Sequence, residues 1–224
     1  MKKLTKSLFV LLILVLLVGT VSCVLAVGEN TNPVTAAIAI QKLNDGNQRF
    51  VDAKFLHPNQ TTARRIELVA GQQPFAVILT CSDSRLPPEI IFDQGLGDLF
   101  VVRIAGNVVD DAVLGSVEYA VEHLGVTLVM VLGHERCGAV GAAVSGAEIP
   151  VHINSLTNAI KPALKIAKTQ NGDLLDNTIR ANVALVVQQF NNSKPILAEF
   201  VHDGKLKVVG AYYDMDDGTV RSLE

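Results

Sequence analysis

The chain has 224 residues, room for one α/β domain with a sizeable core or at most two small ones, so an array of many modules is excluded. Hydrophobic residues make up 49% and charged residues 18%, with a mean hydropathy of +0.35, which excludes intrinsic disorder and points to an apolar segment that inflates the average. A formal charge of -3, with no Lys/Arg stripe interleaved with aromatics, argues against a nucleic-acid partner, and three cysteines cannot all pair with one another, so a disulfide framework is excluded.

The apolar segment stands at the start. Lys2, Lys3 and Lys6 precede residues 8–28, which carry no charged side chain, and the first charge after them is Glu29. That is the layout of an export signal, so residues 1–28 are expected to be a signal peptide or membrane anchor that places residues 34–224 in the periplasm or outside the cell. A cleaved signal, an uncleaved span through residues 8–28 and a lipid on Cys23 all stay open, although Thr20 and Val21 match a lipidation site poorly. Removal of the segment leaves 16 basic against 22 acidic residues, a net charge near -6. Any membrane contact is expected through this segment alone.

In chain order, residues 34–50 space Ala37, Ile38, Ile40, Leu43 and Phe50 as a helix whose apolar face has no partner in its own segment. A loop at residues 57–60 leads to a second helix over residues 61–70, with Thr62 as its cap. Residues 75–80, 99–104 and 127–132 are continuous apolar runs, the pattern of strands buried on both faces of a parallel sheet. Helical patterns at 113–124 and 138–145 separate or follow them, and residues 153–190 read as further helices. Residues 206–213 and 219–223 flank Asp216-Asp217-Gly218 too closely for a crossover, so they form an antiparallel edge hairpin. The expected fold is α/β, a mostly parallel, doubly wound sheet with an antiparallel C-terminal edge strand and helices on both faces.

Two of those strands run straight into chemistry. The first ends in Cys81-Ser82-Asp83-Ser84-Arg85 and the third in Gly133-His134-Glu135-Arg136-Cys137-Gly138. Strand ends of open α/β sheets are where ligands bind. His134 and Cys137, three apart at the expected opening of a helix, share a face, and Cys81 adds a second thiolate from the neighbouring strand. A Cys₂His set with one position left over is that of a catalytic zinc site. Asp83 and Arg85 are spaced to form a bidentate pair beside it. His57, His123, His152 and His202 lack such company and are expected to face solvent or fill space.

Cys-Ser-Asp-Ser-Arg followed some fifty residues later by Gly-His-x-x-Cys-Gly resembles the signature of the β-class carbonic anhydrases. The likeness runs from about Ile38 to the C-terminus and is almost continuous over residues 72–143. It implies hydration of CO₂ to bicarbonate by a zinc-bound hydroxide, with one Zn²⁺ per chain on Cys81, His134 and Cys137 and with Asp83 and Arg85 as the family's catalytic dyad. In a resting state Asp83 is expected to release Arg85 and bind the metal itself, so it stands as a candidate further ligand. Gln72, Phe100, Ala105, Tyr119 and Gly138 match the family's substrate pocket, part of which is supplied across a dimer interface, so a homodimer or larger even-numbered homo-oligomer is expected. Members with a non-catalytic bicarbonate site carry a Trp three residues before the first Cys ligand; Ile78 stands there, and the chain has no Trp. Two other readings use the same residues: a hydrolase of CS₂ or COS, and a zinc-stabilised scaffold with Asp83 as a permanent fourth ligand. A dinucleotide site fails because Gly95-x-Gly97 leads into a strand rather than a helix.

Overall fold

The computed structural model describes residues 34–147 and 150–223. The expected export segment, with Cys23, lies outside the described residues, among which no helix is long and apolar enough to cross a membrane.

Helix α1 (Ala36–Val51) begins where the Thr35 hydroxyl accepts a bond from the Ile38 amide at 3.3 Å. Its inner face, Ala39 and Leu43, packs with Phe75, Ile78, Phe92 and Met130. As expected, α1 packs on residues outside its own segment. Its partners come from distant strands and loops, which a reading of the local segment does not reach. Helix α2 (Thr62–Glu67) is capped by Thr61 rather than Thr62, with the Arg64 amide donating to the Thr61 hydroxyl at 3.1 Å, and a 3₁₀ turn (Leu68–Ala70) ends it early.

The sheet follows. Strand β1 (Ala76–Thr80) leads through the short α3 (Pro88–Ile91) to β2 (Leu99–Arg103), a 3₁₀ turn (Ala105–Asn107) and α4 (Asp111–Glu122). Strand β3 (Leu128–His134) precedes helices α5 (Gly138–Ser145), α6 (Val151–Ala167), α7 (Leu174–Asn191) and α8 (Ile196–His202), and β4 (Lys207–Tyr213) and β5 (Val220–Leu223) close the chain. Strand order is β2-β1-β3-β4-β5, with β1 parallel to β2 and β3, β3 parallel to β4, and only β5 antiparallel. The expected α/β architecture is therefore observed. Helices α3 and α8 had no counterpart in the sequence reading.

Alternation along β1 divides the core into two layers. Val77 and Leu79 face a layer with Val117 of α4, Val183 and Phe190 of α7 and Leu197 of α8, while Ala76 and Ile78 face α1 and α3. All residues of β1 and β3 are buried, as expected of central parallel strands, whereas β2 is an edge strand and only partly covered. A third cluster, with Cys81, Cys137, Val140, Ile160, Ile179 and Tyr212, packs α5 to α7 against the carboxyl ends of the strands. Gly133 permits this approach: a Cβ there would stand 2.6 Å from Val183 Cγ2.

Candidate metal centre

Cys81 is the first residue after β1, and His134 is the last residue of β3. His134 and Cys137 therefore do not share a helix face, as their spacing suggested. Strand β3 runs two residues further than its apolar pattern, Arg136 takes a left-handed conformation (φ 53°), and Cys137 becomes the N-cap of α5. The turn is held from outside: the Met215 amide donates to Glu135 Oε2 at 3.1 Å, and the Arg136 guanidinium grips both oxygens of Asp216 at 2.9 and 2.7 Å.

The donor atoms of Cys81, His134 and Cys137 lie within 4.8 Å of one another, all three residues are buried, and the two sulfurs are 4.0 Å apart. Tetrahedral zinc with bonds of about 2.3 Å to sulfur spaces two thiolates by about 3.8 Å. Two further observations fit a cation. His134 Nδ1 sits 2.8 Å from the Glu135 carbonyl oxygen, which fixes its proton there, and Nε2 is buried with no protein partner. The thiols oppose each other. The hydrogen bond from Cys137 pulls the Cys81 thiol down to about 4 despite its burial, and giving that bond, together with burial, pushes the Cys137 thiol up. A dication held between them would favour ionisation of both.

Asp83 and Arg85 form the expected bidentate pair, Nε to Oδ1 at 2.9 Å and Nη2 to Oδ2 at 2.8 Å. The guanidinium holds the Asp83 carboxyl at about 2, against the opposing effect of burial. In this arrangement the Asp83 carboxylate belongs to Arg85 and is not one of the clustered metal donors. Three further residues, Arg103, Gly106 and Asn182, make four hydrogen bonds around the centre. Arg103, at the end of β2, donates to the carbonyls of Cys81 (3.1 Å) and Asp83 (2.6 Å), which clamps the turn that carries both. The Gly106 amide donates to Cys81 Sγ at 3.2 Å, and Asn182 of α7 donates to the Gly106 carbonyl at 2.9 Å. For Arg103 and Asn182 the signal in the sequence is polarity, Arg103 closing an apolar strand and Asn182 interrupting an apolar helix face.

The expected pocket residues divide between the two ends of the sheet. Ala105 and Gly138 adjoin the metal turns. Phe100 pairs with Val77, four residues up β1 from Cys81 and so about 13 Å away along the strand. Tyr119 is 48% exposed with its ring 6.4 Å from that of Phe100, and Gln72 lines a cavity of about 530 Å³ with Arg65, Leu68, Val69, Leu96 and Gly97. Within one chain Gln72, Phe100 and Tyr119 therefore gather at the amino end of the strands, away from the metal residues.

A buried Cys₂His cluster at the carboxyl edge of a parallel sheet, beside an Asp-Arg pair, defines a zinc enzyme that activates water for attack on a small substrate. The family model for carbonic anhydrase matches residues 76–220. Carbonic anhydrase 2 of Mycobacterium tuberculosis is 43% identical over 193 residues, 84% of this chain and 92% of that protein. The carbonic anhydrase of Mycolicibacterium smegmatis is 42% identical over 195 residues, 85% of this chain and 93% of that one. Among solved structures, the β-carbonic anhydrase CcaA aligns with a TM-score of 0.65 at 26% identity, covering 83% of this chain and 95% of that chain. The chain belongs to the β-class carbonic anhydrases. It is a zinc-dependent lyase that hydrates CO₂ reversibly to bicarbonate and a proton.

Proposed function

We propose that Cys81, His134 and Cys137 hold one zinc per chain, that Asp83 and Arg85 are the catalytic pair, and that a homodimer is the smallest complete enzyme. The observation that carries the metal assignment is the convergence of three buried donors from two strand ends, with His134 Nε2 left without a protein partner. Bound there, zinc supplies the Lewis acidity that brings the pKa of a water to roughly 7, so a nucleophile is available at neutral pH. Asp83, ionised and held by Arg85, would offer the acceptor that orients such a nucleophile toward CO₂. Release of Arg85 would free Asp83 to take the fourth metal position instead.

CO₂ offers no charge to grip, so its pocket is apolar. Ala105 and Gly138 contribute from the protomer that holds the metal, and Phe100, Tyr119 and Gln72 from a partner. A two-fold axis crossing the β2 edge reverses strand direction, which sets the amino end of one sheet beside the carboxyl end of the other. The exposure of Tyr119 and the partial burial of β2 support that contact. Residues 1–28 are read as the export signal or anchor, with residues 34–224 as the catalytic domain working outside the cytoplasmic membrane. Cell fractionation that recovers the chain in the cytosol with Lys2 retained would refute the export reading.

The test of the centre is Cys137→Ser, which removes a soft anionic ligand. Zinc content and CO₂ hydration are expected to fall together; stoichiometric zinc with unchanged turnover would overturn the assignment.

A further inference from the structure

Asn182 is a polar residue in an expensive place. It sits on α7 at 3% exposure, and among the described residues its side chain bonds through Nδ2, which donates to the Gly106 carbonyl at 2.9 Å. A buried amide destabilises a core unless it is paired, so an apolar side chain would pack there at lower cost. The peptide it holds is unusual in turn. Gly106 has a left-handed φ of 74°, and a Cβ there would stand 2.9 Å from Ile160 Cδ1 and 3.2 Å from Ala139 Cβ. On its other side, the Gly106 amide donates to Cys81 Sγ at 3.2 Å.

We infer that Asn182 is a positioning residue for the zinc centre: through the Gly106 peptide it keeps a hydrogen bond on the Cys81 sulfur and so sets how strongly that sulfur donates to the metal. The inference rests on Cys81 being a metal ligand. An N–H dipole aimed at a thiolate stabilises the sulfur lone pairs and reduces the charge they pass to the ion. In a Cys₂His site this matters more than among neutral ligands, because two thiolates cancel the formal charge of a dication. The hydrogen bond returns part of the Lewis acidity that the second thiolate removes. Asn182 acts at one remove, fixing the carbonyl end of the peptide so that its amide end stays on sulfur.

Cobalt-substituted protein reads the effect directly, since thiolate-to-cobalt charge-transfer bands move to lower energy as the sulfur becomes more electron-rich. Asn182→Ala is expected to red-shift the band at full metal occupancy, and in the zinc enzyme to lower kcat about 3- to 10-fold with KM unchanged, the low side of the effect of outer-shell partners. Gly106→Ala displaces the same amide and shifts the band in the same direction. Ile160→Val loosens packing around Gly106 without touching either hydrogen bond and leaves the band in place. Coincident wild-type and Asn182→Ala bands, or an equal shift in Ile160→Val, would overturn the inference. A Cys81→Ser arm separates the two levels: loss of part of the band confirms the ligand, and an undiminished band would remove the ligand assignment and the inference together.

Discussion

Asp93 offers the sharpest test of how the amino-end half of the molecule is held. Its side chain is 1% exposed, and it accepts from Arg49 Nε at 2.6 Å and the Leu56 amide at 3.0 Å on Oδ2, and from the His57 amide at 3.0 Å on Oδ1. The replacement Asp93→Asn isolates this network, because residue 93 has φ 43°, a left-handed conformation that Asn adopts as readily as Asp. Oriented at best, the amide oxygen keeps Arg49 and Leu56 while its NH₂ faces the His57 N–H. The His57 amide then loses its acceptor, and Arg49 keeps only a neutral partner; together these cost about 3 kcal/mol. Burial alone would raise the Asp93 carboxyl, but the Arg49 guanidinium and the two amides hold it below its ordinary value. A depressed carboxylate contributes stability that is present above its unfolded value near 4 and is lost as pH falls through the folded value. Urea unfolding of both proteins at equal zinc and protein concentration measures the gap. We expect about 3 kcal/mol at pH 7 with unchanged m, narrowing below about pH 4 as the wild type loses its advantage. A gap under about 1 kcal/mol, or one that persists at full size in acid, would refute the reasoning.

The proposed shared pocket predicts rescue between damaged chains: Gln72→Ala and Cys81→Ser proteins, each expected to be inactive alone, should on co-expression recover about a quarter of wild-type turnover. Half of randomly paired dimers then carry one intact site. Activity no higher than that of the two variants separately would place Gln72 outside the partner's site. At Gly133 an added methyl meets Val183 Cγ2 at 2.6 Å, so Gly133→Ala should destabilise by about 1 to 3 kcal/mol and weaken zinc retention through His134, measured as chelator-driven zinc loss. Zinc loss at the wild-type rate would show that β3 absorbs the methyl without moving its end.

The central strands were legible because a parallel strand with helices on both faces has no reason to alternate, and β1 and β3 are buried along their whole length. Cys81 and His134 were legible for a related reason, since each stands where an apolar run stops, and parallel runs stop at one edge. Where the polar site residue is itself part of the strand, the pattern misleads. His134 closes β3 yet reads as the opening of a helix, because periodicity cannot assign a polar residue that is buried for its ligand. Helices α3 and α8, of four and seven residues, are too short for a 3.6-residue period to repeat. Arg103, Gly106 and Asn182 act through contacts between segments far apart in the chain, about which spacing carries no information.

The divided pocket has a different cause. Gln72, Phe100 and Tyr119 share one end of the sheet while Cys81 and His134 share the other, and a sequence states which residues belong to a site without stating which copy supplies them. Strand β2 carries the clue. Its residues are as apolar as those of β1 and β3, yet it stands at the edge and is only partly covered. An apolar edge strand in a stable protein needs a cover. In the proposed dimer, a second copy laid across it by a two-fold axis would cover the strand and complete the pocket in one contact. Assembly and catalysis then rest on the same surface, and a change such as Tyr119→Arg, which touches neither metal nor dyad, should lower sedimentation coefficient and turnover together while zinc stays bound.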